Sequence, residues 1–305
     1  EHGLHRAVAL LGAPTHVRAW LAAAVEHLEW TLRCGWWRVA RGALSVAKGL
    51  AADGDAAEGL RQRLVLAEAR LRLLAGRWTD AGVMAERVLA TPVADVAGRM
   101  AHDHATAIRA EALLAGGDTD GASRVILPVL DGLSRQGAAD GAEALAHGAV
   151  FAVGGRLLSA LGRHPAARTL ATRNLALQME QGDRLGAADA LLGLAECHMA
   201  AGQNAGARQW VEEAEALLLP VGAVSGRGEA QLLLARCALV DDLHLLAMRH
   251  AQNGIWIARG HGTSGLERRA LTLMIDICRA AGDEAGAWQH RAELDTSRRG
   301  SKNGD

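Results

Sequence analysis

The sequence predicts an all-α solenoid of about seven helix pairs. Three observations carry this: a composition that suits helices, a turn recurring about every 40 residues, and a column of small residues in phase with it. Half of the 305 residues are hydrophobic, yet only 3% are aromatic, with one Phe, no Tyr and eight Trp. The core must therefore be Ala, Leu and Val. Ala and Leu are strong helix formers, while the β-branched and aromatic residues that strands favour are scarce. With 36 Gly against five Pro, glycine supplies most of the chain reversals.

The turn is a Gly followed five residues later by Ala. It occurs at Gly35, Gly76, Gly117, Gly162, Gly202 and Gly282, each with its Ala at 40, 81, 122, 167, 207 and 287. Asp242 with Ala247 fills the remaining gap. Successive turns lie 41, 41, 45, 40, 40 and 40 residues apart. A second column supports the register. Seven residues before each turn stand Leu28, Ala69, Ala110, Gly155, Ala195, Ala235 and Ile275, and five of these are Ala or Gly. Small side chains let two helices approach closely. The Gly ends the first helix in a left-handed cap, and the Ala sits where a larger side chain would prop the pair apart.

Taken in order, residues 3–11 read as a short amphipathic helix, and Pro14-Thr15 as a helix start. Apolar residues then recur at steps of three and four before each turn, as in Leu64 to Leu74 and Leu191 to Ala201. They do so again after it, as in Ala81 to Leu89 and Ala207 to Leu218. Asp131 to His147, with three glycines and the longest spacing, is the loosest join. Gly262-Thr263-Ser264-Gly265 and Ser225-Gly226 fall between repeats. Residues 1–295 are expected to form one solenoid and 296–305 a flexible tail or linker. The chain begins with Glu1 rather than Met, which reads as an excised domain or a processed product.

The segments Gly76-Arg77-Trp78-Thr79-Asp80-Ala81 and Gly35-Trp36-Trp37-Arg38-Val39-Ala40 resemble the tetratricopeptide (TPR) repeat. That family has a small residue in helix A, a Gly at the turn, an aromatic two residues later and an Ala three beyond. The other units depart from it at the aromatic position, with Thr119, His164, Asn204, His244 and Glu284. The period exceeds the family's usual 34 residues, which implies longer helices. The longer form is similar to the sensor solenoid of MalT-like, large LuxR-family transcription regulators. The resemblance implies a right-handed superhelix with A helices lining its concave face. It also implies a cytoplasmic module that binds a small effector or a peptide or protein partner. No GxxxxGK[ST] phosphate loop and no DNA-recognition helix are encoded, so the resemblance is to the central portion only.

On that concave face, six residues before each turn, lies the column Glu29, Arg70, Glu111, Arg156, Glu196, Arg236, Asp276. Its sign alternates at every step. Two readings stand side by side. It is an ion-pair ladder that fixes register, each exposed rung worth about 0–1 kcal/mol; or its arginines also hold an anionic ligand or peptide carboxylate. The Trp residues read as core: Trp36, Trp37 and Trp78 at the turns, Trp20 and Trp30 in the first pair, Trp210, Trp256 and Trp288 in second helices.

Other chemistry is not encoded in recognisable form. The net charge of −1 gives no footprint for sequence-independent nucleic-acid binding. Cys34, Cys197, Cys237 and Cys278 are far apart and read as buried thiols. His102 and His104 point to different sides of a helix, and no HExxH or zinc spacing occurs, so no metal or cofactor is expected. No nucleophile elbow or acid/base constellation marks an enzyme. No apolar run reaches transmembrane length. The leading expectation is thus a sensor domain, and the alternative a free-standing TPR interaction scaffold. A solenoid-based enzyme is a more distant third, and a homodimer through an uncapped end stays open.

Overall fold

Each of the seven turn residues has a positive φ. The six glycines lie between 72° and 85°, and Asp242 at 57° is the sole positive-φ residue other than Gly among those described. In this conformation the chain reverses and the last carbonyls of the helix find donors. The N–H of Trp36 reaches Thr31 O, that of Arg77 reaches Arg72 O, and that of Leu243 reaches Ala238 O, the six-to-one bond of a Schellman cap. A computed structural model describes residues 14–53, 57–135 and 141–300. Among them are fourteen helices and no strand.

The helices form seven antiparallel pairs: α1 (Pro14–Cys34) with α2 (Trp37–Asp53), α3 (Glu58–Leu74) with α4 (Trp78–Leu89), and α5 (Val96–Ala115) with α6 (Thr119–Arg135). They continue as α7 (Gly141–Ala160) with α8 (His164–Glu180), and α9 (Arg184–Ala200) with α10 (Asn204–Leu218). The last are α11 (Val224–Val240) with α12 (His244–His261), and α13 (Ser264–Ala280) with α14 (Glu284–Gly300). The fold is a TPR-like helical-repeat solenoid. Its long period follows from its parts: α8, α9, α11 and α13 have 17 residues each, and turns of two or three residues join the two helices of each pair.

The first helix of every pair packs on the first helix of the next, whereas successive second helices touch marginally at most. The odd-numbered helices are therefore the inner layer. The small-residue columns lie where the pairs close. Ala40, Ala81, Ala122, Ala167, Ala207 and Ala247 are fully buried, and so are Leu28, Ala69, Ala110, Ala195 and Ala235. Asp118 and Asp283, just past their turn glycines, accept from the N–H of Gly121 and Gly286 and start α6 and α14. The four cysteines are buried and unpaired with one another.

A second set of left-handed glycines, Gly182, Gly222 and Gly262, reverses the chain between pairs with φ of 65–72°. These three turns let the array curl until its start meets its end. Trp36 donates its indole N–H to Gly222 O at 3.1 Å. Ser264 Oγ lies 3.3 Å from Ala75 O. Helix α1 touches α11, and α3 touches α13. The solenoid is thus closed sideways along a seam.

Three expectations need correction. Trp256 and Trp288 are 73% and 74% exposed, not buried. On α12 the buried stripe is Ala247, Ala251, Ile255 and Ala258, and Trp256 projects beside exposed Gln252 and Arg259. On α14 the buried residues are Ala287 and Leu294, and Trp288 projects beside exposed Glu284 and Arg291. Trp78, Trp20 and Trp30 are also exposed in part, and Trp36 leaves its own pair to pack among the residues of α11 to α13. Finally, residues 296–300, expected in a tail, continue α14. The helix expected over 3–11 and the residues 301–305 lie outside the described residues.

Candidate functional site

All seven residues of the charged column fall on inner-layer helices, and none is buried, although each follows a buried residue of the small column. The ladder itself forms one rung: Arg156 meets Glu111 at 3.1 Å, their side chains 42% and 34% exposed. Glu29 is taken by Arg63, which grips it with two bonds of 2.9 and 2.7 Å. Arg70, Glu196, Arg236 and Asp276 make no ion pair or hydrogen bond among the described residues. Neighbouring helices hold most of the alternating side chains apart, so alternation in sequence does not become pairing in space.

A second row lies seven residues earlier, two turns along the same helix face: Arg63, His104, Ala149, Asp189, Glu229 and Arg269 on α3, α5, α7, α9, α11 and α13. Here α11 and α13 are joined by the Arg269–Glu229 pair at 2.5 Å. The sequence reading missed this row, although its signal was a simple one. Each residue is offset by seven from a member of the first column, which keeps it on the same helical face.

The two rows face a common space. Asp189 on α9 feels the guanidinium groups of Arg70 on α3, Arg33 on α1 and Arg156 on α7, and carries the like charge of Asp183 nearby. Burial is the stronger effect and pushes its carboxyl above the usual range. Yet Asp189 is exposed to water. Asp189 thus stands on the inner layer with its carboxylate in reach of water and arginines of three other helices around it. Glu196 is likewise pushed up by burial, against the pull of Arg156, Arg269 and Arg236. The Arg156 guanidinium is raised above its ordinary value by Glu111 first, with Glu196, Asp189 and Glu229 adding to it. His104 falls from 6.5 to about 4, first by burial and then by repulsion from Arg70, Arg33 and Arg63. At neutral pH its imidazole is therefore uncharged.

The inner layer thus offers unengaged groups of both signs. Arg70 is a fork of donors with no direct acceptor, Asp189 and Glu196 are acceptors with no direct donor, and neutral His104 stands between arginines. Such groups recognise carboxylates, ammonium groups and peptide amides through charge-assisted hydrogen bonds. Among the described residues no group of three or more His, Cys, Asp or Glu could hold a metal ion. No described helix is long and apolar enough to cross a membrane.

No protein-family profile matches the chain, and no curated protein does. Solved structures do resemble it. A Rap protein complexed with competence and sporulation factor aligns with a TM-score of 0.68 at 10% identity, over 93% of this chain and 78% of that one. Aspartyl phosphate phosphatase F from Bacillus subtilis aligns at 0.51 and 10% identity, over 93% and 75%. A signal-transduction ATPase with numerous domains (STAND) and a tetratricopeptide repeat sensor, from Pyrococcus horikoshii, aligns at 0.57 and 12% identity. That match covers 95% of this chain but 45% of the other. At such identities the likeness is one of fold, and the fold it shows is the TPR-like helical-repeat solenoid.

Proposed function

We propose that this chain is a binding module whose concave inner face takes an extended peptide or a small polar effector. The observation that carries the reading is the set of unengaged, oppositely charged groups on the inner layer, above all Arg70 and Asp189. Buried or half-buried charges without a direct partner are costly, and a ligand bearing both signs relieves the cost. The Rap neighbour was solved with the competence and sporulation factor bound, which supports a binding role for this architecture. We further propose that the module is the sensor of a larger regulator of the MalT-like kind, with DNA contact left to another domain. The repeat sensor of the STAND protein, a segment within a longer chain, supports this. A free-standing interaction scaffold is the second reading, favoured by the Rap likeness over nearly the whole chain. Neither reading asks for catalysis, a cofactor, nucleic-acid contact or a membrane, and homodimerisation is compatible with both.

Native mass spectrometry of the protein purified from its own cell extract tests the binding reading. A bound peptide or polar metabolite should appear on the wild type and vanish from Arg70→Ala combined with Asp189→Asn. Equal retention by that variant would move the site elsewhere. The mass of the full-length polypeptide in the same extract separates sensor from scaffold: far above 31.9 kDa for the first, near it for the second.

A further inference from the structure

At the longest repeat spacing, where α5, α6 and α7 meet, lies a cavity of about 240 Å³. Drug-sized ligands fill sites of about 300–1,000 Å³, so this one suits a small metabolite. None of its lining residues belongs to either charged row, and it stands apart from Arg70 and Asp189. Its lining has an apolar and a polar part. Val93, Met100, Val129 and Leu133 supply the first. The second begins with Arg99 and Asp103, one turn apart on α5. That spacing sets a cation and an anion about 5–6 Å apart at their Cβ atoms. His147 of α7 approaches Asp103, with Nε2 3.6 Å from Oδ2, and the two side chains are only 12% and 20% exposed. His102 anchors the wall. Its Nε2 donates to Thr91 O at 3.0 Å, since a carbonyl only accepts. Thr91 Oγ1 in turn bonds Val88 O and Gln62. These bonds tie the connection between α4 and α5, and Val93 with it, to the helices. Gly132 on α6 keeps the space open, because a Cβ there would meet no atom within 4 Å.

We propose that this cavity binds a free α-amino acid with a short branched aliphatic side chain. The zwitterion matches the lining group by group. Its ammonium goes to Asp103, its carboxylate to Arg99, and its hydrocarbon between Val93, Met100, Val129 and Leu133. A guanidinium carries five N–H donors and a carboxylate about four acceptor sites. Arg99 and Asp103 therefore take the ligand while keeping the protein partners they have. A ligand of one charge satisfies half of this wall and leaves the other half facing hydrocarbon. The bound molecule touches three successive helices, so it braces the join between the third and fourth pairs. The site is independent of the concave-face reading and stands or falls by its own test.

Isothermal titration of the intact protein with L-valine, L-leucine and L-isoleucine tests the site. Two analogues of leucine accompany them: 3-methylbutylamine, which lacks the carboxylate, and 4-methylpentanoate, which lacks the ammonium. At least one of the amino acids should bind at one site per chain. Each leucine analogue should bind about ten- to a hundredfold more weakly than leucine, the loss expected when a charged hydrogen-bond partner is missing. Gly132→Leu fills the cavity and should abolish binding. Leu suits a helix interior better than Gly, so this variant should melt no lower than the wild type. Asp103→Asn, which keeps the shape of the side chain, should weaken the amino acid about tenfold or more. Arg70→Ala combined with Asp189→Asn should bind it as the wild type does. No saturable heat with any of the three amino acids would overturn the proposal. So would equal affinity for the two analogues, or binding that survives both Gly132→Leu and Asp103→Asn. Loss of binding in the Arg70 and Asp189 variant alone would place the amino acid on the concave face and remove it from this cavity.

Discussion

Single residues show how strongly environment governs the charged inner layer. His104 titrates near 4 in the folded protein against 6.5 when unfolded. The unfolded chain therefore binds more protons between these values, and stability falls as pH drops through that window. The full shift would amount to about 3 kcal/mol, and the partial exposure of His104 reduces it. His104→Gln should be less sensitive to acid, so its denaturation midpoint should gain on the wild type's as pH falls from 7 to 4. A constant difference would mean that neither burial nor the surrounding arginines shift His104 in the folded protein. Arg156→Ala should weaken a ligand on the concave inner face while changing stability by less than about 1 kcal/mol, because its pair with Glu111 is part-exposed. Calorimetric titration and denaturant melts read the two separately. The first row of charges was legible in the sequence because it shares the turn's register. Its pairing was not, since Glu29 chooses Arg63 over Arg70 by side-chain reach across α1 and α3.

At the scale of elements, the turns carry the fold. Asp242 holds a left-handed conformation that glycine adopts at no steric cost. Asp242→Gly should therefore raise stability by about 0.5–1 kcal/mol, seen as a higher thermal midpoint. The small columns make the opposite point. Ala207, fully buried between α9 and α10, has no room for added methylene groups. Ala207→Leu should cost about 1–3 kcal/mol by forcing the pair apart, measurable by urea denaturation. Second helices show where a linear reading goes astray. Reading Trp256 as core failed because its neighbours in sequence, Ile255 and Ile257, each lie about 100° away around the helix and face inward without it.

Across the whole molecule, the array has two kinds of joint, apolar between repeats and polar at the seam. Hydrogen exchange should separate them. Amides of the turns at Gly35, Gly222 and Gly262 should exchange faster than those of α7 and α9, which sit mid-array with apolar neighbours on both sides. Uniform protection would argue that the ring opens only by global unfolding.

What the sequence by itself determined is local and periodic. Ala and Leu at steps of three and four dictate helices. A left-handed residue about every 40 positions dictates where they reverse, and small side chains dictate which faces meet. These effects act within one repeat or between adjacent ones, so a linear pattern records them. Tertiary structure decided the rest. Gly222 and Gly262 meet Trp36 and Trp37 only because small rotations between repeats accumulate until the array curls on itself. The same curl sets Asp189 of α9 before Arg33 and Arg70 of α1 and α3, several repeats away along the chain. No spacing in the sequence encodes that meeting, because it depends on the sum of all the packing angles between.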